Sequence, residues 1–209
     1  MRKTSSLLIS ALALAAASLA APVMAQSKGD WAFSAGIGQV APKSDNGALA
    51  AGTLKVDVDN DIKPTLTGEY FFANNWGLEV LAALPFKHDI NIAGLGRVGS
   101  TKHLPPVVSV NYHFNGQGNV SPFIGLGVNY TTFFSEETGG ALAGSKLKLA
   151  DSWGLAAHVG IDFKVSDRGA IRVNARWADI DTDVKLDGAK LGTVNIDPMV
   201  YGISYVMSY

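Results

Sequence analysis

The chain has 209 residues and a formal net charge of −1, with 47% hydrophobic residues, 17% charged residues and no cysteine. This composition argues against an intrinsically disordered chain, and the lack of cysteine excludes a disulfide framework or a thiolate metal site. The near-zero net charge also argues against a nucleic-acid partner, because phosphate binding requires a basic face.

The first 25 residues have the features of a secretory signal peptide. A positive start is followed by an apolar run over residues 7–21 and by small residues that end at Ala25. We therefore expect cleavage after Ala25 and a mature domain of residues 26–209. The alternative is a retained membrane anchor, which is disfavoured because the run is short and contains two serines.

Apolar residues recur at every second position through the rest of the chain, which is typical of strands with one apolar face. No run of 18 apolar residues follows Ala25, so no transmembrane helix is expected. We predict eight strands. They lie at residues 31–38, 65–72, 76–86, 104–114, 124–131, 153–165, 171–177 and 199–209.

The connections between these strands alternate in length. The short ones are residues 74–75, 115–120 and 166–169, and the longer, polar and glycine-rich ones are residues 43–61, 91–101, 137–150 and 187–192. This pattern and an even strand number predict an all-β fold, an eight-stranded antiparallel transmembrane β-barrel of the outer-membrane type. A soluble sandwich or barrel is the alternative, but several predicted strands are long enough to cross a bilayer at a tilt of about 45°.

Six segments of the mature chain carry a family pattern. In order they are WGLEVLAALPFKHDI (76–90), HLPP (103–106), PFIGLGVNYTTFF (122–134), LKLADSWGLAAHVGID (147–162), RWADIDTDV (176–184) and NIDPMVYGI (195–203). They resemble the OmpW family of outer-membrane proteins, which includes the AlkL-type alkane importers. The resemblance implies a barrel in the bacterial outer membrane with periplasmic termini, an apolar lumen on the extracellular side and passage of small hydrophobic molecules.

The predicted inward-facing positions divide the lumen into two parts. The charged positions, next to the short turns, are Glu69, Glu79, Asp162, Lys164, Arg172 and Arg176. We expect them to pair as a charged plug, because an eight-stranded barrel is narrow and unpaired buried charge is costly. Toward the long loops the inward positions become mostly apolar and form a predicted hydrophobic funnel. Its residues are Leu81, Ala83, Pro85, Pro105, Val107 and Thr131.

Three prolines fall on the third and fourth predicted strands, near the funnel. Pro85, Pro105 and Pro106 lack the N–H that a strand ladder uses. One interpretation is a lateral seam that opens from the funnel into the outer leaflet. The other is a bulge above the membrane on the loop side.

Several motifs are candidate sites of chemistry. Residues 94–99 match the GxGxxG pattern, but prolines follow and no helical pattern begins, so a loop is expected. The histidines, at positions 88, 103, 113 and 158, lack metal-ligand spacing, which favours polar residues of the lumen or rim. A barrel-type lipid deacylase requires a serine two positions from a histidine on one strand, and no histidine here has that neighbour. We expect no catalytic residue, no metal and no cofactor.

Two acidic triads have the spacing of a calcium loop. The triad at 57, 59 and 61 and the triad at 179, 181 and 183 both lack the rest of that loop. They are interpreted as solvated charge near the loops, with divalent-cation bridging to lipopolysaccharide as the alternative.

These features favour a narrow hydrophobic conduit for passive uptake of small apolar molecules, with lateral release into the outer leaflet. A structural or stress-response envelope protein without transport is the alternative, and a lipid-modifying enzyme is a third hypothesis. The expected partners are small hydrophobic solutes, outer-membrane lipid, lipopolysaccharide and, during biogenesis, the barrel-assembly machinery.

Overall fold

A computed structural model describes residues 26–209, and the predicted signal peptide lies outside them. In this range no helix is long and apolar enough to cross a membrane. A short 3-10 helix spans Gly140–Leu142. The strands are β1 (Trp31–Ala41), β2 (Ala48–Leu49), β3 (Leu54–Val58), β4 (Asp61–Ala73), β5 (Trp76–Ala83), β6 (Phe86–Ile92), β7 (Gly96–Leu104), β8 (Val107–His113), β9 (Val120–Thr138), β10 (Leu147–Leu149), β11 (Ser152–Lys164), β12 (Gly169–Ala178), β13 (Asp181–Leu186), β14 (Ala189–Asn195) and β15 (Met199–Ser208).

Eight of these strands close into an antiparallel barrel, which confirms the predicted fold. Around the barrel the order is β1, β4, β5, β8, β9, β11, β12 and β15, and β15 pairs again with β1. The closing ladder runs from the pair Ala32–Ser208 to the pair Ala41–Met199. Closure leaves no unpaired edge, which lipid would be unable to hydrogen-bond.

The barrel exterior is apolar along all eight strands. Leu126, Val159 and Ile203 are exposed to 71%, 56% and 48%, whereas inward-facing Ala156 is exposed to 2%. The period-two pattern therefore assigns these side chains to the outer face, as a strand that separates lipid from a lumen requires.

The barrel wall continues beyond the apolar exterior at the end opposite the two termini. We call this end the upper end and define the upper extension as β2, β3, β6, β7, β10, β13, β14 and the last part of β9. About half of the residues in the segments predicted as long loops are therefore strand. In residues 91–101, for example, only a turn around Gly94 separates β6 from β7, and Gly94 and Gly96 have positive φ of 82° and 72°.

The alternation of apolar residues explains the extra hairpin. Ile92 and Val98 are buried inside the upper extension, one on each side of the turn. The glycine-rich stretch between them is a tight turn with no helix after it, which agrees with the rejection of a dinucleotide site.

Within residues 26–209, buried apolar side chains form two clusters. The upper cluster includes Phe133, Ile180 and Val184, and the lower cluster, near the termini, consists of Ala32, Phe71, Ala170 and Val206. A layer of buried polar side chains separates them.

Candidate functional site

The buried polar layer is organised around Arg172 of β12. Its Nε and Nη2 donate hydrogen bonds of 2.7 and 2.9 Å to the two oxygens of Asp162, its direct cross-strand partner on β11. Its Nη1 donates to Glu79 at 2.9 Å, and Nη2 donates to Glu69 at 3.3 Å. Because Glu69 and Glu79 lie on β4 and β5, this guanidinium bridges the lumen.

The two glutamates explain why a bridging cation is needed. Glu69 and Glu79 stand directly opposite each other on adjacent strands, an arrangement of like charges that destabilises a sheet. Arg172 donates hydrogen bonds to both, and Arg176 Nη2 donates a second bond to Glu79 at 2.6 Å. Charge-assisted hydrogen bonds are the strong ones in proteins, and the pair Arg172–Asp162 is also bidentate.

Three further side chains complete the layer. Asn111 Nδ2 donates to Glu69 at 2.9 Å, and His113 Nε2 lies 2.9 Å from the same oxygen. His158 Nε2 bonds with Asn111 Oδ1 at 2.7 Å. A Cβ at Gly125 would stand 2.2 Å from His158 Nε2, so this close approach requires glycine. We call the whole set the polar floor; it consists of Glu69, Glu79, Asn111, His113, His158, Asp162, Arg172 and Arg176.

The structure brings together five of the six residues of the predicted charged plug. Lys164 is the exception: it is half-buried at the lower end of β11, and its Nζ has no hydrogen-bond partner among the described residues. Sequence reasoning left Asn111, His113 and His158 out of the plug. The strand alternation could have identified them. His158, for example, lies four residues before Asp162 on β11, so both side chains are on the same inward face.

A small cavity of about 30 Å³, the lower cavity, lies directly above the polar floor. Its lining includes Arg176 of the floor, His103, and four of the predicted funnel residues. These four are Leu81, Ala83, Pro105 and Val107. Pro85 and Thr131 do not line it, and buried Thr131 donates its hydroxyl to Asn129 at 2.7 Å.

A larger cavity of about 160 Å³, the upper cavity, fills the upper extension. Its lining is apolar except for His88, Thr101, His103 and Thr182. Because His103 lines both cavities, they are neighbours above the polar floor, and we call the two together the apolar column. Sequence reasoning missed the upper cavity because most of its lining belongs to segments interpreted as loops.

His88 and His103 form a stacked pair in this column. Their ring centroids are 4.8 Å apart, with 15° between the planes, and each residue is exposed to only 2%. Both lie above the apolar exterior, outside the membrane-spanning strands. Burial lowers the pKa of His88 and lowers the pKa of His103 to about 3, so both imidazoles are neutral near pH 7.

The strand ladder is interrupted at the three prolines. Pairing of β5 with β8 ends at Leu81 and Val107, and pairing of β6 with β7 begins at Phe86 and His103. Residues 82–85 and 104–106 therefore make no ladder pairs with each other. We call this interruption the proline gap. Ala83 and Pro105 place it at the height of the lower cavity.

The triad at 179, 181 and 183 is not a single cluster in the structure. Oxygens of Asp179, Asp181 and Asp197 lie within 4.8 Å of one another, whereas Asp183 bonds to Lys190 at 2.7 Å. Burial and the two neighbouring carboxylates raise the pKa of Asp179.

Comparisons with known proteins place these features in context. The OmpW family model matches residues 27–209. Outer membrane protein W of Vibrio cholerae serotype O1 is 40% identical over 94% of this chain and 96% of that protein. Outer membrane protein AlkL of Ectopseudomonas oleovorans is 28% identical over 86% of this chain and 83% of that protein. The crystal structure of the outer membrane protein OprG from Pseudomonas aeruginosa has a TM-score of 0.80 and 32% identity, over 88% of this chain and 99% of that chain.

Proposed function

Because the chain belongs to the OmpW family of outer-membrane barrel proteins, we propose that it is a passive conduit for small apolar molecules. The observation that carries this proposal is the apolar column, which has one cavity in the upper extension and one directly above the polar floor that closes the barrel. The conduit needs no cofactor, no metal and no bond chemistry, and the protein is proposed not to be an enzyme.

The size and lining of the column favour a hydrophobic solute. An apolar cavity of about 150 Å³ holds a molecule of the size of benzene and stays free of water. The upper cavity has a volume of about 160 Å³ and a lining of mostly aliphatic side chains. A polar or ionic solute would lose its hydration there without gaining compensating hydrogen bonds.

The polar floor argues against a route straight through the barrel. Arg172 alone joins carboxylates of three strands, and its guanidinium carbon lies 4.5 Å from the Phe123 ring centroid. An apolar solute gains nothing by displacing these charged hydrogen bonds, since each charge would then be left unpaired in a narrow lumen.

We propose that the solute leaves sideways through the proline gap into the outer leaflet. The gap lies at the height of the lower cavity, directly above the floor. Leu84 within it is exposed to 58% on the apolar outer face. A lipid-facing exit suits an apolar cargo, because the acyl chains are its preferred solvent.

Uptake of labelled n-octane by Gram-negative cells tests the proposal. The cells would lack their own OmpW-family protein and would produce either this chain or an empty-vector control. We expect faster octane uptake with the chain and unchanged uptake of a labelled sugar. Equal octane rates in the two strains would contradict the conduit and favour a structural envelope role.

A further inference from the structure

Two lysines face each other on the outer wall of the upper extension. Lys87 of β6 and Lys102 of β7 are direct cross-strand partners, and both are exposed. The residue after each of them, His88 and His103, lines the upper cavity, so the two lysine side chains lie on the opposite, outward face. Like charges in directly opposed positions destabilise a sheet, and an anion beside both ammonium groups would remove that cost.

The carboxylate closest to this pair supplies only part of the missing negative charge. Glu137 Oε2 lies 3.8 Å from Lys87 Nζ, and the same oxygen accepts a hydrogen bond from the Ser100 hydroxyl at 3.3 Å. Within residues 26–209, Lys102 makes no ion pair. With Glu137 counted against the two lysines, the site keeps a net positive charge.

Two other carboxylates on this part of the wall already have partners of their own. Asp89 lies 2.8 Å from the Arg97 guanidinium, and Glu136 lies 3.0 Å from Lys148 Nζ. These pairs are closer than the contact between Lys87 and Glu137. They therefore leave the surplus charge at the lysine pair.

The position of an aromatic pair places the two lysines at the level of the lipid head groups. Tyr130 and Trp153 stack on the barrel exterior with ring centroids 4.7 Å apart, and Trp153 is exposed to 73%. Aromatic residues of this kind mark the membrane interface of a barrel. Lys102 stands opposite Phe134, four residues beyond Tyr130 on β9, which corresponds to a rise of roughly 10 Å along a tilted strand.

Apolar, basic and acidic residues follow one another up this part of the wall. Leu84 is exposed to 58% on the apolar surface, and Lys87 follows three residues later. Asp89 and Glu137 lie one step further up, where both are cross-strand partners of Ser100. The basic step is therefore the one nearest to the lipid, and the long stems of the lysines allow their ammonium groups to reach down to it.

The outer leaflet determines which anion meets this step. Outer-membrane barrels have short turns on the periplasmic side and longer segments outside, so the upper extension faces the extracellular side. The main lipid of that leaflet is lipopolysaccharide, whose lipid A carries phosphate groups on its sugar head. A phosphate monoester has a charge near −2 and three acceptor oxygens, which suits two neighbouring ammonium groups.

We propose that Lys87 and Lys102 form a phosphate site for lipid A, which holds a lipopolysaccharide molecule against the outer wall of β6 and β7. The site lies on the outside of the barrel, so it is independent of the proposed conduit.

Native mass spectrometry of the barrel in uncharged detergent micelles tests the site by measuring the lipid A that remains bound. We expect bisphosphorylated lipid A to bind the unaltered protein and to bind roughly thirtyfold more weakly when Lys87→Gln and Lys102→Gln are combined. Each lysine near an anionic lipid surface contributes about 1 kcal/mol, and about 1.4 kcal/mol corresponds to tenfold in affinity. Lipid A without its phosphates should bind both proteins equally.

A matched control removes the same two charges elsewhere on the upper extension. Lys146→Gln combined with Lys185→Gln alters two exposed lysines near the turn between β13 and β14, where Lys146 N donates to the Asp187 carboxylate at 2.7 Å. This variant should bind lipid A as the unaltered protein does. As a second readout, lipid A should shift the backbone amide resonances of Lys87 and Lys102 in the unaltered ¹⁵N-labelled barrel.

Three results would overturn the lipid A site. The first is a loss of lipid A binding in the Lys87 and Lys102 variant that is no larger than the loss in the control. The second is equal binding of phosphatidylglycerol, which would assign the lysines to anionic lipid in general. The third is an equal shift of the two amide resonances by inorganic phosphate at the same concentration, which would assign them to free phosphate.

Discussion

Arg172 holds the polar floor together, because its guanidinium contacts carboxylates from three different strands. Arg172→Ala would leave Asp162 and Glu69 without their guanidinium partner inside the barrel. We expect a loss of about 3–5 kcal/mol in the free energy of unfolding, and less where water enters. Urea unfolding in lipid vesicles measures this loss. Lys164→Ala is the matched control and should have little effect, since Lys164 makes no described ion pair.

Leu126 reports on the lipid-facing surface, where it is exposed to 71%. Leu126→Arg would place a charge against the acyl chains and should cost roughly 2–4 kcal/mol of unfolding free energy near the midplane. Leu126→Val keeps the position apolar and should cost far less. An unchanged unfolding midpoint for the arginine variant would mean that this face does not contact lipid.

His103 makes the stability of the protein depend on pH. Burial, reinforced by His88, lowers its pKa from 6.5 to about 3. Below pH 6.5 the unfolded chain binds a proton that the folded chain does not bind until about pH 3, so the free energy of unfolding falls as the pH drops through this range.

The matched variant His103→Phe removes this titration. We expect the unfolding free energy of the unaltered protein, relative to that of the variant, to decrease between neutral pH and about pH 4. A difference that is constant over this range would contradict a buried neutral His103.

At the scale of the strands, the proline gap separates two ladders that would otherwise be continuous. Replacing Pro105 and Pro106 with valine restores two backbone N–H groups, which favours pairing with residues 82–85. We expect slower octane uptake and unchanged barrel folding. Pro122→Val, on the exposed start of β9 and away from the gap, serves as the control and should not change uptake. Unchanged uptake in the gap variant would argue against a lateral exit.

The strand pattern was predictable because a barrel that separates lipid from a lumen imposes strict alternation. That alternation identified the eight barrel strands, and the resemblance of six segments to the OmpW family is confirmed. The β6–β7 hairpin was missed because its glycine-rich turn hides the apolar alternation that continues through Ile92 and Val98. Turn residues and loop residues have the same composition, so composition alone does not separate them.

The contacts across the lumen were only partly predictable. The period-two alternation along a strand assigns a side chain to the inside of the barrel. The level along the barrel axis at which that side chain meets the opposite wall depends on the stagger of the strands. Arg172 therefore reaches Glu79 on the far side, whereas Lys164, two residues beyond Asp162, falls below the floor. The column above depends on the same stagger, since β2, β3 and β14 complete its wall.

At the scale of the whole molecule, three features divide the protein along its axis. An apolar column occupies the upper end, the polar floor closes it, and the small lower cluster around Phe71 lies beneath. The proposed solute route runs through the apolar column. It leaves the column sideways because the polar floor closes the barrel below. This division predicts that the floor and the apolar route can be altered independently.

Arg172→Ala combined with Arg176→Ala tests this independence most directly, once the folded barrel of the variant has been verified. Removing both guanidinium groups opens the floor to water and ions. Single-channel conductance in planar bilayers should therefore rise, while octane uptake in cells remains close to that of the unaltered protein. A rise in octane uptake that accompanies the rise in conductance would contradict the account, because it would mean that the apolar solute passes straight down the barrel through the floor.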